Sequence, residues 1–292
     1  MPTSEAADHT GPSAVAEELR GIAEELARGA GELVARARGA GLVDAKSTPT
    51  DLVTEVDREC ERWLAARLAE LRPDDALLGE EGAERAGGSG VRWLLDPIDG
   101  TVNFLYGLRP YAVSVAAERG GRVVAGCVHD PTSGETFSAA LGGGARLDGA
   151  PIGGRWVAAG LDTAVIGTGF GYAAALRGGQ GRLLAGVLPR VGNVRRLGSA
   201  ALDLCYVAAG RLDGYYEHGL KPWDRAAGEL VAAEAGARVT GLLGRRPGAV
   251  TVAASPAVAA ELCALLEELG ADELCPPAAP ADHPGLPEPP PG

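Results

Sequence analysis

The first apolar pattern along the chain has the spacing of one face of a helix. From Val15 to Val34, apolar residues recur every three or four positions, as they do where one side of a helix packs on a core. Ser13 precedes this run and belongs to the residue types that cap helix N-termini. Residues 39–41 contain two glycines, which end helices. The sequence therefore predicts an amphipathic helix that starts at Ser13 and ends at residues 39–41.

A second apolar stripe predicts another helix from Val56 to Leu71. Thr54 precedes it and Asp57 lies three positions later, which is the spacing of a capping box. Pro73 then ends the helix, because proline lacks the N–H that a continuing helix needs. The position of Asp57 thus has an adequate structural explanation without any functional one.

Short apolar runs separated by turn residues predict strands as far as about Ile152. Gly120-Gly121 is typical of the tight turn of a β-hairpin. Most neighbouring strands are accordingly expected to be antiparallel, so the first half is interpreted as α+β. The predicted strands cover residues 76–78, 91–95, 111–118, 122–130 and 136–141.

The second half alternates short strands with helices, which predicts an α/β arrangement. Ser199 and Asp224 are expected to cap two of these helices, and Ser255-Pro256 to open the last one. The predicted organisation is a disordered amino terminus (1–12), an α+β domain (13–157), an α/β domain (158–270) and a disordered Pro- and Ala-rich tail (271–292).

Composition narrows the possible functions. The net charge of −12 argues against binding to nucleic acid or to an anionic membrane, both of which require basic surfaces. No apolar run reaches the roughly 18 residues of a membrane span, and no signal peptide is expected. The five cysteines form no CxxC pair, which favours buried thiols in a reducing cytoplasm. Among the histidines, His218 follows Glu217 and could line a cleft, although a hydrogen-bonded surface histidine is the favoured interpretation.

Candidate chemistry concentrates where an apolar strand meets two carboxylates. Asp96 follows the predicted strand, and Asp99 lies three positions later. Pro97 disfavours a helix at Asp96, so a turn can bring both carboxylates to one point. Gly100 and Thr101 have small side chains that leave their backbone N–H groups accessible to an anion. This pattern favours a divalent metal with a phosphate, although a simple Asx-rich turn is an alternative.

Two other acids could belong to the same site. Glu80 follows the predicted strand 76–78, just as Asp96 follows its own strand. Two strand ends that present acids on one edge can share a cation, although adjacent acids such as Glu80 and Glu81 are also common in solvated loops. Asp224 can be explained as a helix cap, and a cap can bind metal through its second oxygen.

Four separated motifs follow one another in the chain: Lys46 with Asp51-Leu52-Val53-Thr54 and Asp57, Gly79-Glu80-Glu81, residues 96–104 and residues 223–228. In this order they resemble the motifs of the inositol monophosphatase family of metal-dependent, lithium-sensitive phosphatases. The resemblance covers about residues 13–268. It implies a layered α-β-α-β-α sandwich of the sugar-phosphatase type, like that of fructose-1,6-bisphosphatase.

The resemblance implies a role for each matching residue. Glu80, with Thr101, is expected to orient the attacking water. Asp57 pairs with Thr101, and Lys46 lies in a nearby mobile loop; these four form the implied catalytic set. The implied magnesium ligands are Glu80, Asp96, Asp99, Asp224 and the backbone carbonyls of Ile98 and Thr101. The implied substrate-binding residues are Asp99, Gly100, Thr101, Ala200, Glu217 and Asp224.

The implied reaction is hydrolysis of inositol 1-phosphate, or of a similar small polyol monophosphate, by a metal-activated water. Ligands that are all oxygen suit two or three Mg²⁺ ions and disfavour zinc. Lithium inhibition, a homodimer and a cytoplasmic location are also implied. Histidinol-phosphate phosphatase is the alternative enzyme. A regulatory binding protein that retains the fold is the alternative of another class.

Overall fold

The computed structural model describes residues 13–37, 43–46 and 52–274. The predicted disordered segment 1–12, the predicted helix end at 39–41 and residues 275–292 of the predicted tail lie outside the described residues. None of the described helices is both long enough and apolar enough to cross a membrane.

The described part of the chain contains seven helices and fifteen strands. The helices are α1 (Ala14–Arg36), α2 (Glu55–Leu71), α3 (Thr101–Tyr106), α4 (Ala174–Val187), α5 (Ala200–Ala208), α6 (Pro222–Glu234) and α7 (Ala259–Glu268). The strands are β1 (Val43–Ala45), β2 (Leu52–Thr54), β3 (Ala76–Gly79), β4 (Glu84–Arg85), β5 (Val91–Asp99), β6 (Ala112–Arg119), β7 (Arg122–His129), β8 (Thr136–Ala140), β9 (Ala145–Leu147), β10 (Ala150–Ile152), β11 (Val165–Thr168), β12 (Asn193–Arg195), β13 (Gly214–His218), β14 (Arg238–Thr240) and β15 (Val250–Ala254). Short 3₁₀ turns lie at Leu161–Thr163, Leu188–Arg190 and Ala271–Leu274.

Two large sheets lie between layers of helices, and β1 pairs with β2 in a separate two-stranded sheet. In the described part of the chain, one sheet has eight strands in the order β10-β9-β8-β7-β6-β5-β3-β4, and another has five in the order β12-β11-β13-β15-β14. Apolar residues of α1 and α2 pack on the larger sheet around the fully buried Trp93. Residues of α5 and α6 fill the space between the two sheets, and α4 and α7 cover the smaller sheet. The predicted α-β-α-β-α sandwich is confirmed.

The first two helices begin as their sequences predict. The side chain of Ser13 accepts a hydrogen bond from the N–H of Ala16. At α2, Thr54 accepts one from the N–H of Asp57, while the Asp57 carboxylate accepts one of 2.8 Å from the N–H of Thr54. Both caps depend only on residues close in sequence, which is why local patterns predict them.

The predicted cap at Asp224 is wrong. Helix α6 begins at Pro222, which needs no hydrogen-bond partner for its nitrogen, and Lys221 is the N-cap. Asp224 lies in the first turn and accepts a hydrogen bond of 2.7 Å from the N–H of Lys221. Its carboxylate therefore belongs to the positive end of the helix, which favours a negative charge.

The predicted start of the last helix is also wrong. The backbone carbonyl of Ser255 accepts hydrogen bonds from the N–H groups of Val258 and Ala259, so a tight turn precedes α7. Helix α7 itself begins at Ala259, and the hydroxyl of Ser255 is buried without a partner in the described structure.

Three further elements differ from the sequence expectations. Strand β5 continues through Pro97 to Asp99, with a register shift between Asp96 and Asp99 against β6. Helix α3 follows at once and was not predicted. The predicted tail begins later than residue 271, since Ala271–Leu274 form a 3₁₀ turn whose first residue is fully buried.

Candidate active site

Two neighbouring parallel strands bring the first two acids together. Strand β3 pairs in parallel with β5, so that Gly79 lies beside Leu95. The next residue of each strand is an acid, Glu80 on one and Asp96 on the other. The N–H of Glu80 donates a hydrogen bond of 3.0 Å to the carbonyl of Leu95, which fixes this arrangement. The predicted shared edge is confirmed.

Asp224 completes a tight group of carboxylates. Glu80, Asp96 and Asp224 each offer an oxygen, and these oxygens all lie within 4.8 Å of one another. Burial, followed by the negative charge of Glu80, raises the pKa of both Asp96 and Asp224 well above the ordinary value. Such a group is costly without a cation, and its oxygen ligands are those that Mg²⁺ prefers.

Lys46 supplies a positive charge at the edge of this group. Its Nζ lies 2.8 Å from Oε1 of Glu80 and 2.5 Å from Oε1 of Glu81. Burial opposes the charged form of Lys46, but the charges and hydrogen bonds of the two glutamates outweigh it and raise the pKa. Burial raises the pKa of Glu81 to about 7. Lys46 thus contacts the carboxylate group directly, as its predicted position near the site requires.

Asp99 lies in the same cavity but outside the tight group. Its Oδ2 accepts hydrogen bonds of 2.6 Å from the hydroxyl of Ser199 and 2.7 Å from the N–H of Ala201. Burial raises the pKa of Asp99 to about 6, although these hydrogen bonds oppose the rise. The end of β5 is thereby joined to the start of α5.

Thr101 and Asp57 form a buried pair behind the carboxylates. The hydroxyl of Thr101 lies 3.1 Å from Oδ1 of Asp57 and 3.0 Å from the carbonyl oxygen of Ile98. Burial raises the pKa of Asp57, while the hydrogen bonds from Thr54 and Thr101 lower it. The capping carboxylate of α2 therefore also orients a side chain of the site.

Gly100 is required by its conformation and by its surroundings. Its φ of +100° lies in the left-handed region, where glycine is favoured. A Cβ at this position would lie 3.0 Å from the carbonyl oxygen of Gly198 and 3.2 Å from Cβ of Tyr111. The chain can therefore turn sharply from β5 into α3 here.

The acidic residues and the predicted substrate-binding residues line one cavity of about 490 Å³. Asp57 is not part of its lining and contributes through Thr101. The predicted residues that line the cavity are Lys46, Glu80, Asp96, Ile98, Asp99, Gly100, Thr101, Ala200, Glu217 and Asp224.

Glu217 lies near the end of strand β13 and lines the cavity. The hydroxyl of Tyr215 donates a hydrogen bond of 2.5 Å to its Oε2. Burial raises the pKa of Glu217 to about 7. Its neighbour His218 is only 4% exposed and also lines the cavity, so the favoured surface position is wrong and the alternative of a cleft-lining histidine is confirmed.

Several residues of the site escaped the sequence analysis. Glu61 accepts a hydrogen bond from the turn that contains Glu80, and Ser199 donates a hydrogen bond to Asp99. Residues 169–173 and Arg196 line the cavity. Residues 169–173 belong to the Gly- and Leu-rich segment 168–193, which the family resemblance assigns to the wall of the substrate pocket without identifying individual residues. Ser199 was identified only as a cap, which it is, since it also accepts a hydrogen bond from the N–H of Leu202.

Comparison with known proteins identifies the family. Residues 15–271 match the inositol monophosphatase family. The inositol-1-monophosphatase SuhB of Mycobacterium tuberculosis is 51% identical over 281 residues, which cover 88% of this chain and 96% of that protein. The Nus factor SuhB of Vibrio cholerae is 40% identical over 227 residues, covering 76% of this chain and 85% of the relative.

Similarity extends to three dimensions. The solved structure of Mycobacterium tuberculosis SuhB superposes with a TM-score of 0.75 at 49% identity, covering 87% of this chain and 97% of that one. The fold, the acidic cavity and these matches along nearly the whole described chain lead to one conclusion. The protein belongs to the inositol monophosphatase family, a family of phosphoric monoester hydrolases.

Proposed function

We propose that the protein hydrolyses inositol 1-phosphate, or a similar small polyol monophosphate, in a magnesium-dependent reaction. The observation that carries this proposal is the group of oxygens from Glu80, Asp96 and Asp224, which lie within 4.8 Å of one another. Asp99 lines the same cavity and adds a fourth carboxylate.

The donor set fits magnesium. Glu80, Asp96, Asp99 and Asp224 would hold two or three ions together with the backbone carbonyls of Ile98 and Thr101. Oxygen ligands suit this hard cation, whereas zinc sites rely on nitrogen or sulfur. When bound, the metal would supply Lewis acidity, lower the pKa of bound water and neutralise phosphate charge.

The chain's own groups would position the phosphate and the attacking water. The N–H groups of Gly100 and Thr101 lie at the start of α3, where the first amides have no partner within the helix, and would bind phosphate oxygens. Glu80 and the hydroxyl of Thr101 would orient the water. Asp57 accepts from that hydroxyl at 3.1 Å and would keep it in place.

The remaining cavity residues would bind the alcohol part of the substrate. Asp99, Asp224 and Glu217 offer carboxylate oxygens that can accept hydrogen bonds from hydroxyl groups. Ala200 also lines the cavity, and its small methyl side chain leaves room for these hydroxyl groups. A cavity of about 490 Å³ has the size typical of small-molecule sites.

Phosphate release from inositol 1-phosphate tests this proposal directly. We expect activity with Mg²⁺, loss of activity with EDTA, and inhibition by Li⁺. Activity that EDTA leaves untouched would contradict the metal-dependent reaction. We further propose that the protein is a homodimer and that it is located in the cytoplasm. The mass of the protein in solution tests the homodimer.

Histidinol phosphate is the alternative substrate. The metal ligands would serve either phosphoester equally, so they do not separate the two. Parallel measurements of kcat/KM on both substrates decide, and a higher value for histidinol phosphate would overturn the inositol assignment.

A regulatory binding function is the second candidate, and the similarity to a protein named Nus factor SuhB favours it. The complete set of acids argues that catalysis is retained. A pull-down with wild type and Asp96→Asn separates the two functions. Binding that survives in a variant without hydrolysis would show that they are independent.

A further inference from the structure

One wall of the cavity is built from a loop and a strand end that touch each other. Residues 169–173 line the cavity together with Glu217 and His218, and we call these residues the loop wall. A Cβ at Gly169 would lie 1.9 Å from Oε2 of Glu217. The loop backbone therefore lies directly against this carboxylate, so a shift of either part moves the other.

The C-terminal turn, Ala271–Leu274, contacts the strand side of this wall. Nε2 of His218 lies 2.9 Å from the carbonyl oxygen of Ala271. Because a carbonyl only accepts, Nε2 must carry the proton. Burial lowers the pKa of His218, which agrees with a neutral imidazole in this contact. The residue directly after Glu217 is thus tied to the end of the described chain.

The same turn contacts helix α4 on the other side. A Cβ at Gly179 would lie 2.7 Å from Cδ2 of Leu274, so this glycine provides the space that the leucine fills. Seven residues later, Gly186 provides space for Leu269 in the same way, at 2.6 Å. Gly181, by contrast, has open space around it. Glycine is unfavourable inside a helix relative to alanine, but at these two positions it provides the room that a leucine side chain occupies.

Helix α4 in turn holds the loop of the wall. The buried side-chain oxygen of Gln180 accepts a hydrogen bond of 3.0 Å from the N–H of Gly171. Arg177 donates a hydrogen bond to the carbonyl of Tyr172. Gln180 directly follows Gly179, against which Leu274 packs. A continuous set of contacts therefore runs from the C-terminal turn through α4 to the loop.

We infer that the C-terminal turn braces the loop wall, with His218 and Leu274 as positioning residues that fix where the polyol of the substrate lies. The part concerning the polyol rests on the proposed function. The brace itself rests on contacts at both ends of the wall, His218 to Ala271 and Leu274 to Gly179.

Amide hydrogen exchange tests the brace without any substrate. Leu274→Ser should speed exchange at the N–H of Gly171 by about tenfold or more. This N–H donates to Gln180, and the substitution removes the packing of Leu274 against Gly179, the residue before Gln180. Glu273→Ala is the matched control, since Glu273 lies in the same turn and is exposed. Should Leu274→Ser fail to fold, the milder Leu274→Val carries the same measurement. Equal protection of Gly171 in wild type and the Leu274 variant would overturn the brace.

Kinetics then test its consequence for the substrate. For Leu274→Ser and His218→Phe we expect KM for inositol 1-phosphate to rise several-fold with kcat within about twofold. Inhibition by inorganic phosphate should change by less than about twofold, because phosphate alone does not need the loop wall. An unchanged KM would refute the positioning role.

A pair of helix variants separates the brace from helix stability. Gly179→Ala places a methyl group where Leu274 packs, whereas Gly181→Ala places one in open space. Only Gly179→Ala should raise KM, while Gly181→Ala should raise the melting temperature. If wild type does not hydrolyse inositol 1-phosphate, the proposed function fails, while the exchange experiment still decides the brace.

Discussion

The buried carboxylate of Glu61 accepts a hydrogen bond of 2.8 Å from the backbone N–H of Glu81, the residue after the candidate metal ligand Glu80. Its second oxygen accepts one of 2.7 Å from the N–H of Ala83. A Cβ at Gly79 would lie 2.2 Å from the same carboxylate, so the turn and Glu61 are closely packed. A residue outside the cavity thus determines where Glu80 lies.

Glu61→Gln should weaken metal binding. The amide group of glutamine would place a donor against one of the two backbone N–H donors, and losing such a supporting contact typically costs 10-fold to 100-fold in metal affinity. Titration calorimetry with Mg²⁺ measures the change. Glu59→Gln on the exposed side of the same helix is the control and should leave the affinity unchanged. An affinity equal to wild type would show that the turn holds Glu80 without Glu61.

Asp96→Asn should abolish turnover without weakening the metal-free fold. The substitution keeps the oxygen that accepts from the N–H of Ile98 at 3.0 Å and removes a repelling charge. We expect kcat to fall by about three orders of magnitude or more, and the melting temperature in EDTA to stay equal or rise.

Asp75→Asn is the contrasting variant. Asp75 is also buried, but it is paired with Arg72 at 2.9 Å and accepts a hydrogen bond from Trp93. Its loss should cost about 1.5–3 kcal/mol of stability. If Asp96→Asn lowered the melting temperature as much as Asp75→Asn, the conclusion that the carboxylates of the cavity repel one another in the metal-free protein would be wrong.

The stabilisation by magnesium should grow with pH. Burial raises the pKa of Asp99 from 3.8 to about 6 and that of Glu217 from 4.5 to about 7. Between about pH 4 and pH 7 the folded state therefore holds more protons than the unfolded state, so the stability of the metal-free protein falls as pH rises. A metal ion held by Asp99 would require its ionised form, and the positive charge of the ion would also favour ionised Glu217 in the same cavity, which would offset this loss.

Thermal unfolding at pH 5 and pH 7.5, with Mg²⁺ and with EDTA, measures this effect. The shift in melting temperature caused by Mg²⁺ should be larger at pH 7.5. A shift that is equal at both values would show that protonation of these carboxylates does not compete with the metal.

Thr101→Val should slow catalysis while leaving metal affinity nearly intact. Valine keeps the shape but loses the hydroxyl that contacts Asp57, and loss of such a positioned group costs about 10²-fold to 10⁴-fold in kcat. Thr101→Ser retains a hydroxyl and should keep most of the activity. Equal kcat values for the two variants would exclude a role for this hydroxyl.

Local patterns predicted the parts of the fold that depend on neighbouring residues. The caps at Ser13 and Thr54 and the hairpin between β6 and β7 formed as expected. The shared edge of Glu80 and Asp96 followed from two strands that each end in an acid. Helix α6 carried a readable signal that was missed, because Pro222 is typical of a first helical position.

The wrong or missing predictions concern residues whose positions depend on contacts that are distant in sequence. The N–H of Ser255 donates to the carbonyl of Asp213, and the turn that follows delays α7 in spite of a favourable Ser-Pro pair. Glu61 could not be identified from sequence, because a glutamate within a helix gives no sign that its carboxylate will meet a turn 20 residues away. The resemblance assigned segment 168–193 to the pocket wall, but it could not identify the individual residues 169–173, because contacts with α4 determine their position.

The parallel register of β3 and β5, with Gly79 beside Leu95, has a consequence for the order of folding events. Glu80 and Asp96 become neighbours only after this pairing, and Asp224 joins them only after α6 docks between the sheets. The complete set of carboxylates therefore exists only once both halves of the chain have folded together. A cation that binds only this completed set would stabilise the folded protein by mass action and slow its unfolding rather than speed its folding.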